Sequence, residues 1–395
     1  MSNAFCQILP SPRLNPIMLP EGVVRGMRPT TGVRPAGFAD HYEGKVLFYD
    51  IFWHRDGRTV LLVGPPSIDL DQRLGKMVCV AQPSGKRLAW REHNSKRMRL
   101  CSIRPPAGTT HLEISYAGAT QTVAIAENAS GFFDGARVLF TLSKNNRLEW
   151  IADWARFHAL NQGTDAVILV DNGSTDYSPD EIETVLACVP GIERVAVLPA
   201  PFPYGQKDEW VAEDQNWSQF LQPAMFLVVW RRYAQAACGI LNCDIDELAV
   251  PSPDGNVYEA AARSRSGTVY YRGAWVAAVP EDGRSAPYRH GDFRRLEADP
   301  ERGMSSLHKW AMAPNRRWLE RLSVHPYPHF LRNRPMGTRH KPTDVFIAHF
   351  RGISTSWKYD RHVSKAAGTD LPVEPALAQA LDRTFSGSGG RGASG

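Results

Sequence analysis

The stretch GILNCDIDELAV, residues 239–250, places Asp244, Asp246 and Glu247 directly behind an apolar run. Carboxylates repel one another and hold water, so three of them at the end of a buried strand need a reason. A hard cation is one. Mg²⁺ and Mn²⁺ take oxygen ligands, typically one or two carboxylates plus the phosphate oxygens of a substrate. On an extended chain, residues two apart project the same way, so Asp244 and Asp246 can serve one ion. An acidic turn in solvent is the other reading, and D-x-D taken alone favours it.

A second polar cluster, DNGSTD at 171–176, follows the apolar run DAVILV in the same manner. Asp-Asn-Gly is a turn signal, and Ser, Thr and Asp cap helices. At a strand end, Asp171 could also accept hydrogen bonds from a base or ribose, and the backbone around Gly173 can lie close to a ligand. Ligands of open parallel sheets sit outside the carboxyl ends of the strands. Two such clusters at two such ends would face one crevice, and this address favours the metal over the solvated turn.

The elements that must position these clusters alternate from about residue 135. RVLFTL (137–142) reads as a strand, and RLEWIADWARFHALNQG as a helix with Leu148, Ile151, Trp154, Ala155, His158 and Leu160 near helical spacing and Gly163 at its end. DAVILV (165–170) is continuously apolar, as in a strand buried on both faces. SPDEIETVLACV opens with Ser178, Pro179 and Glu181, an N-cap, a first-turn proline and a capping-box glutamate. RVAVLPA (194–200), an amphipathic segment at 213–237 interrupted by Pro223, and GILNC (239–243) complete β-α-β-α-β-α-β, which predicts a parallel α/β sheet.

Residues 39–134 instead carry short β-rich runs separated by RDGR, GPPS, QPSG and AGAT, which predict a small β-sandwich-like domain. Its segment 86–104 collects Lys86, Arg87, Arg91, Lys96, Arg97, Arg99 and Arg104. This reads as the solvated face of a strand pair, with a surface for an anionic polymer or membrane as the alternative. Residues 1–38, rich in Pro, Gly and Arg, are expected as a flexible arm, and 366–395, ending SGSGGRGASG, as a flexible tail.

Composition sets wide bounds. The 395 residues exceed one ordinary core, and 43% hydrophobic with 22% charged residues is ordinary for a globular protein. A net charge of +5 allows anionic partners and demands none, and nothing points to nucleic acid. Six scattered cysteines without a CxxC pair predict reduced thiols in a cytoplasmic protein and no zinc site. The N-terminus lacks a basic start with a long apolar run, so no signal peptide is expected. The best apolar run, MFLVVW at 225–230, meets Arg231 and Arg232 at once, so any membrane contact would be peripheral.

Taken in order, LFTLSKNNRLEWIADWARFHALNQGTDAVILVDNGSTDYS, NCDIDELAV, HFRGISTSWK and KYDRHVSK resemble the motifs of GT-A fold glycosyltransferases of the family 2/family 92-like group. The likeness spans roughly 136–365. It implies a Rossmann-like, mostly parallel catalytic domain at 135–365 that moves a sugar from a nucleotide-sugar, a UDP-sugar by expectation, to a saccharide or glycan acceptor, as in polysaccharide biosynthesis, with inversion. By the same resemblance Thr141, Asn145 and Asp171 line the nucleotide pocket. Asp244 and Asp246 hold Mn²⁺ or Mg²⁺, Asp244 also facing the donor, and His349 completes that site. Lys309, in SSLHKWAMAP, pairs with the diphosphate, and Trp275 lies against the acceptor. Asp292 and Glu247 are the candidate bases. The chain departs from the pattern at Asn146, at Leu248 and at VAAVP after Trp275, which bears on donor and acceptor choice.

His325 and His329 in SVHPYPHF read as structural because prolines break the spacing of a metal pair, and His158 as a packed helix histidine. Two other functions use the same features: a metal-dependent phosphohydrolase or nucleotidyltransferase, and a glycan-binding protein with a vestigial site.

Overall fold

The computed structural model describes residues 5–251, 255–281, 284, 286–297, 308–321, 323–333, 345–355 and 371–386. KYDRHVSK lies outside the described residues.

The chain is mixed α/β around a nine-stranded, mostly parallel sheet. Its parallel half runs Gln7–Ile8, Arg194–Pro199, Ala166–Asp171, Arg137–Ser143, Gly239–Asn242. His308–Met312 and Thr268–Val276 then join antiparallel, Phe346–Phe350 pairs parallel with the latter, and Glu247–Val250 closes the edge antiparallel. Ala166–Asp171 is buried at every position, as its unbroken apolar run requires.

The helices form where the sequence signals stand. Leu148–Gln162 ends at Gly163, whose φ of 67° is the left-handed conformation that a residue without Cβ adopts freely. Pro179–Ala187 begins with the reciprocal cap: Ser178 Oγ accepts the Glu181 N–H at 3.3 Å, and Glu181 accepts the Ser178 N–H at 2.8 Å. Segment 213–237 is helical only over Leu221–Val228, continuing as one π-turn over Val229–Tyr233. Pro223 interrupts nothing, because it lies in the first turn, where its missing N–H would have had no partner.

Residues 50–124 form two four-stranded antiparallel sheets. Ile51, Leu62 and Cys101 of one share an apolar cluster with Cys79, Leu112 and Ile114 of the other. The first sheet is buried on its second face too. Tyr49, Phe52, Leu61 and Val63 join a cluster with Phe140, Met225 and Trp230 of the α/β region. One continuous core therefore crosses the boundary expected near residue 134. Asp50, fully buried, accepts two hydrogen bonds from Arg232 Nη1 at 2.9 and 3.1 Å across it.

Residues 5–38, expected as a flexible arm, are laid along both regions. Gln7–Ile8 adds to the large sheet, and Ile17–Met18 pairs with Val46–Phe48. Arg25, 1% exposed, donates to the carbonyls of Glu43 at 2.7 Å, Val46 at 2.6 Å and Pro66 at 2.8 Å. Within the stretch expected as a tail, Pro375–Phe385 is a helix that buries Leu377, Ala380 and Leu381 in the cluster under the sheet. All six cysteines are free. Among the described residues no helix is long and apolar enough to cross a membrane.

Candidate metal and donor site

The acidic cluster sits in a turn. The Glu247 N–H donates to the Asp244 carbonyl at 3.0 Å, and the Glu247 carboxylate accepts the Asp244 N–H at 2.9 Å, so Glu247 caps its own turn. Two buried histidines hold this segment. His290 Nε2 contacts the Ile245 carbonyl at 2.9 Å, and His158 Nε2 accepts the Ala249 N–H at 3.0 Å while its Nδ1 meets the Trp154 carbonyl at 2.8 Å. His158 is thereby neutral, and burial pulls its titration down to about 3.

Because the chain turns, Asp244 and Asp246 do not share a direction. Asp244 accepts from Lys309 Nζ at 2.6 Å, and Asp246 meets His349 Nε2 at 3.0 Å. Glu247 lies between. One of its oxygens is 3.0 Å from Lys309 Nζ and the other 3.5 Å from His349 Nδ1. Glu247 and His349 are direct cross-strand partners, as are His349 and Trp275, so all three stand in one row across the sheet. The indole lies on the imidazole with centroids 4.0 Å apart, and the Arg351 guanidinium lies 4.0 Å from the Trp275 ring centroid.

Burial pushes Glu247 above the usual carboxylate range, against the pull of Lys309. Burial alone would lower Lys309, but Asp244 and Glu247 outweigh it and raise the ammonium. Asp246, Glu247 and His349 each offer a ligand atom, all within 4.8 Å of one another. Glu247 Oε1 is buried and has no hydrogen-bond partner among the described residues. Two carboxylates and one imidazole around an orphaned oxygen fit a divalent ion.

The loops after Arg137–Ser143 and Ala166–Asp171 are clamped together. Asn145 Oδ1 accepts the Thr175 N–H at 2.8 Å, and Asn145 Nδ2 donates to Thr175 Oγ1 at 3.0 Å. Asn145 has φ 53°, a left-handed conformation that asparagine tolerates better than most residues. Asp171 takes the Ser174 hydroxyl at 2.5 Å and the Ser174 N–H at 3.2 Å, fixing the turn through Gly173. Ser174 Oγ in turn accepts the Asn145 N–H at 2.9 Å. Thr141 is fully buried within its strand and reaches no solvent.

The remaining expected residues are placed as follows. Trp275, half-buried, stands beside His349 rather than apart from it. Asp292 accepts the Arg289 N–H at 2.8 Å and lies 3.4 Å from Arg284 Nε, capping a short turn next to His290. His325 is buried. His329 stands at the solvent edge of the site with Nδ1 3.1 Å from the His308 carbonyl. His290 and Arg351 are the contributors that sequence reasoning missed. Nothing in their local sequence distinguishes them, because each acts on a segment about 45 or more residues away.

No family model matches this chain, and no curated protein does. Among solved structures, it is similar to a mannosyltransferase, PcManGT, from Pyrobaculum calidifontis, in complex with GDP-Man and Mn²⁺. The two share 15% identity over 65% of this chain and 70% of that one, with a TM-score of 0.33.

Proposed function

We propose that this chain is a metal-dependent glycosyltransferase that moves a sugar from a nucleotide-sugar, a UDP-sugar on this reading, to a saccharide or glycan acceptor with inversion. The observation that carries the proposal is the convergence of Asp246, Glu247 and His349 beyond the end of Gly239–Asn242, on the same sheet whose next two parallel strands, Arg137–Ser143 and Ala166–Asp171, end in the clamped loops. The motif resemblance across 136–365 supports the same reading.

Asp246, Glu247 and His349 would hold the ion, and the single imidazole favours Mn²⁺ over Mg²⁺. When bound, such an ion neutralises charge that gathers on a departing diphosphate. Lys309 holds Asp244 and Glu247 close together and places a positive charge under the same cleft. The Asn145–Thr175 clamp and the Asp171 turn shape the nucleotide side. Removal of the acceptor proton needs a carboxylate. Glu247 is taken up by Lys309 and, on this reading, by the ion, so the role falls to Asp292.

A screen of UDP- and GDP-sugars for Mn²⁺-dependent hydrolysis tests the proposal. Release of UDP or GDP supports it. Cleavage of p-nitrophenyl phosphate with no nucleotide-sugar consumed would favour a phosphohydrolase, and metal-independent glycan binding without turnover a vestigial site.

A further inference from the structure

Four of the five residues of the turn Tyr327–Leu331 are tied to the floor of the site. The Tyr327 carbonyl accepts from Trp310 Nε1 at 2.6 Å, next in sequence to Lys309. The Pro328 carbonyl accepts from Asn242 Nδ2 at 2.7 Å, two residues before Asp244. His329 meets the His308 carbonyl, and the Leu331 N–H donates to the Tyr270 hydroxyl at 2.7 Å. The Phe330 carbonyl accepts the Tyr327 N–H at 2.8 Å. The Phe330 ring lies flat on Tyr327, centroids 4.6 Å apart and planes 9° from parallel. Tyr327 is buried, with its hydroxyl on Ser95 Oγ at 2.9 Å and the Arg97 guanidinium 5.6 Å from its ring.

Phe330 is nonetheless 46% exposed. A large apolar ring held this rigidly against solvent gains nothing for folding from its open face, whereas a ligand would meet it with little ordering cost. Its side of the site is also defined. In sheet order, Gly239–Asn242 separates the clamped loops of Arg137–Ser143 and Ala166–Asp171 from His308–Met312 and Thr268–Val276. The Tyr327–Leu331 turn bonds to Asn242 and to these two latter strands, so it lies across the carboxylates from the nucleotide-side clamp.

We propose that Phe330, seated on Tyr327, is the platform on which the acceptor pyranose packs its less polar face, beside the Asp244–Lys309 end of the site. The proposal rests on the transferase reading above. It also gives the antiparallel region a task, since Ser95 and Arg97 brace the platform from beneath.

The test has two arms. With a donor found by the hydrolysis screen and methyl pyranosides as acceptors, Phe330→Ala is expected to raise the acceptor KM about five- to tenfold with kcat changed far less, and Phe330→Tyr to restore it. An unchanged acceptor KM overturns the platform. So does a loss confined to UDP or GDP affinity, which would make the ring a nucleobase seat. The second arm needs no turnover: saturation transfer from the protein to methyl pyranosides, compared between the native chain and Phe330→Ala. Loss of the signal in the variant supports the platform, and an equal signal, or none in the native chain, overturns it. If no nucleotide-sugar is consumed, the transferase reading fails and the platform is judged on this arm alone.

Discussion

Asp244 and Asp246 are two residues apart and reach different counter-groups: Asp244 takes the Lys309 ammonium at 2.6 Å, and Asp246 the His349 imidazole at 3.0 Å. The turn at Ile245–Asp246 separates them, and Glu247 connects the two halves. One half of the cluster carries a built-in cation, and the other brings Asp246, Glu247 and His349 within 4.8 Å of one another.

Removing the built-in cation should therefore expose the cost of the cluster. Lys309 is fully buried, and Lys309→Met strips Glu247 of its only ammonium among the described residues. Breaking a buried pair in this way costs about 3–5 kcal/mol. The expected outcome is a lowered urea midpoint that Mn²⁺ partly restores, by more than it stabilises the native chain. A variant as stable as the native chain would show that the carboxylates do not strain the fold.

Acid should destabilise the protein through its buried histidines. Burial pulls His158 down to about 3 and His325 to about 4, from an ordinary value of about 6.5. Between these values the unfolded chain binds protons that the folded chain refuses, so stability is complete above about pH 6.5 and falls as the pH drops toward 4. Each such histidine contributes a slope of about 1.4 kcal/mol per pH unit. Urea midpoints across this range should fall steeply, and His158→Gln should flatten the dependence. A flat native profile would contradict the buried neutral state.

The core shared across residue 134 predicts one cooperative unit. Asp50→Asn leaves Arg232 facing a neutral partner, with an expected cost of about 3–5 kcal/mol. Far-UV circular dichroism and tryptophan fluorescence should report one coincident transition, shifted as a whole. Two transitions, only one of them moved, would show that the antiparallel sheets fold independently.

The clamp is separable from the metal. Asn145→Ala loses the reciprocal bonds to Thr175 and must hold φ 53° without asparagine's tolerance, whereas Asn145→Gly loses only the bonds. UDP and GDP affinity should fall in both variants, more in the alanine, with Mn²⁺ affinity unchanged. Equal nucleotide affinity in all three chains would remove the loops from the donor site.

Much of this was legible in the sequence where the signals were local. The strands ending at Asp171 and Asn242, the capping box of Ser178 and the left-handed Gly163 could all be read from neighbours within a few residues. The partition of the carboxylates was not, because the period-two argument assumes an extended chain and the chain turns at Ile245. The seats of Lys309 and His349 depend on antiparallel strands arriving more than 60 residues later, with a register that no local pattern encodes. Residues 5–38 differ from the expectation for another reason: strands of two residues are too short to leave a period, and a buried arginine satisfied by carbonyls looks in sequence like a solvated one.

The central claim, that Asp246, Glu247 and His349 hold one divalent ion that recruits a nucleoside diphosphate, is tested most directly by calorimetry. UDP and GDP are titrated with and without Mn²⁺ into the native chain, Asp246→Asn and His349→Ala. The account expects Mn²⁺-dependent binding of one of the two in the native chain, weakened at least tenfold in each variant. Equal affinity in all three chains, or binding indifferent to Mn²⁺, would contradict it.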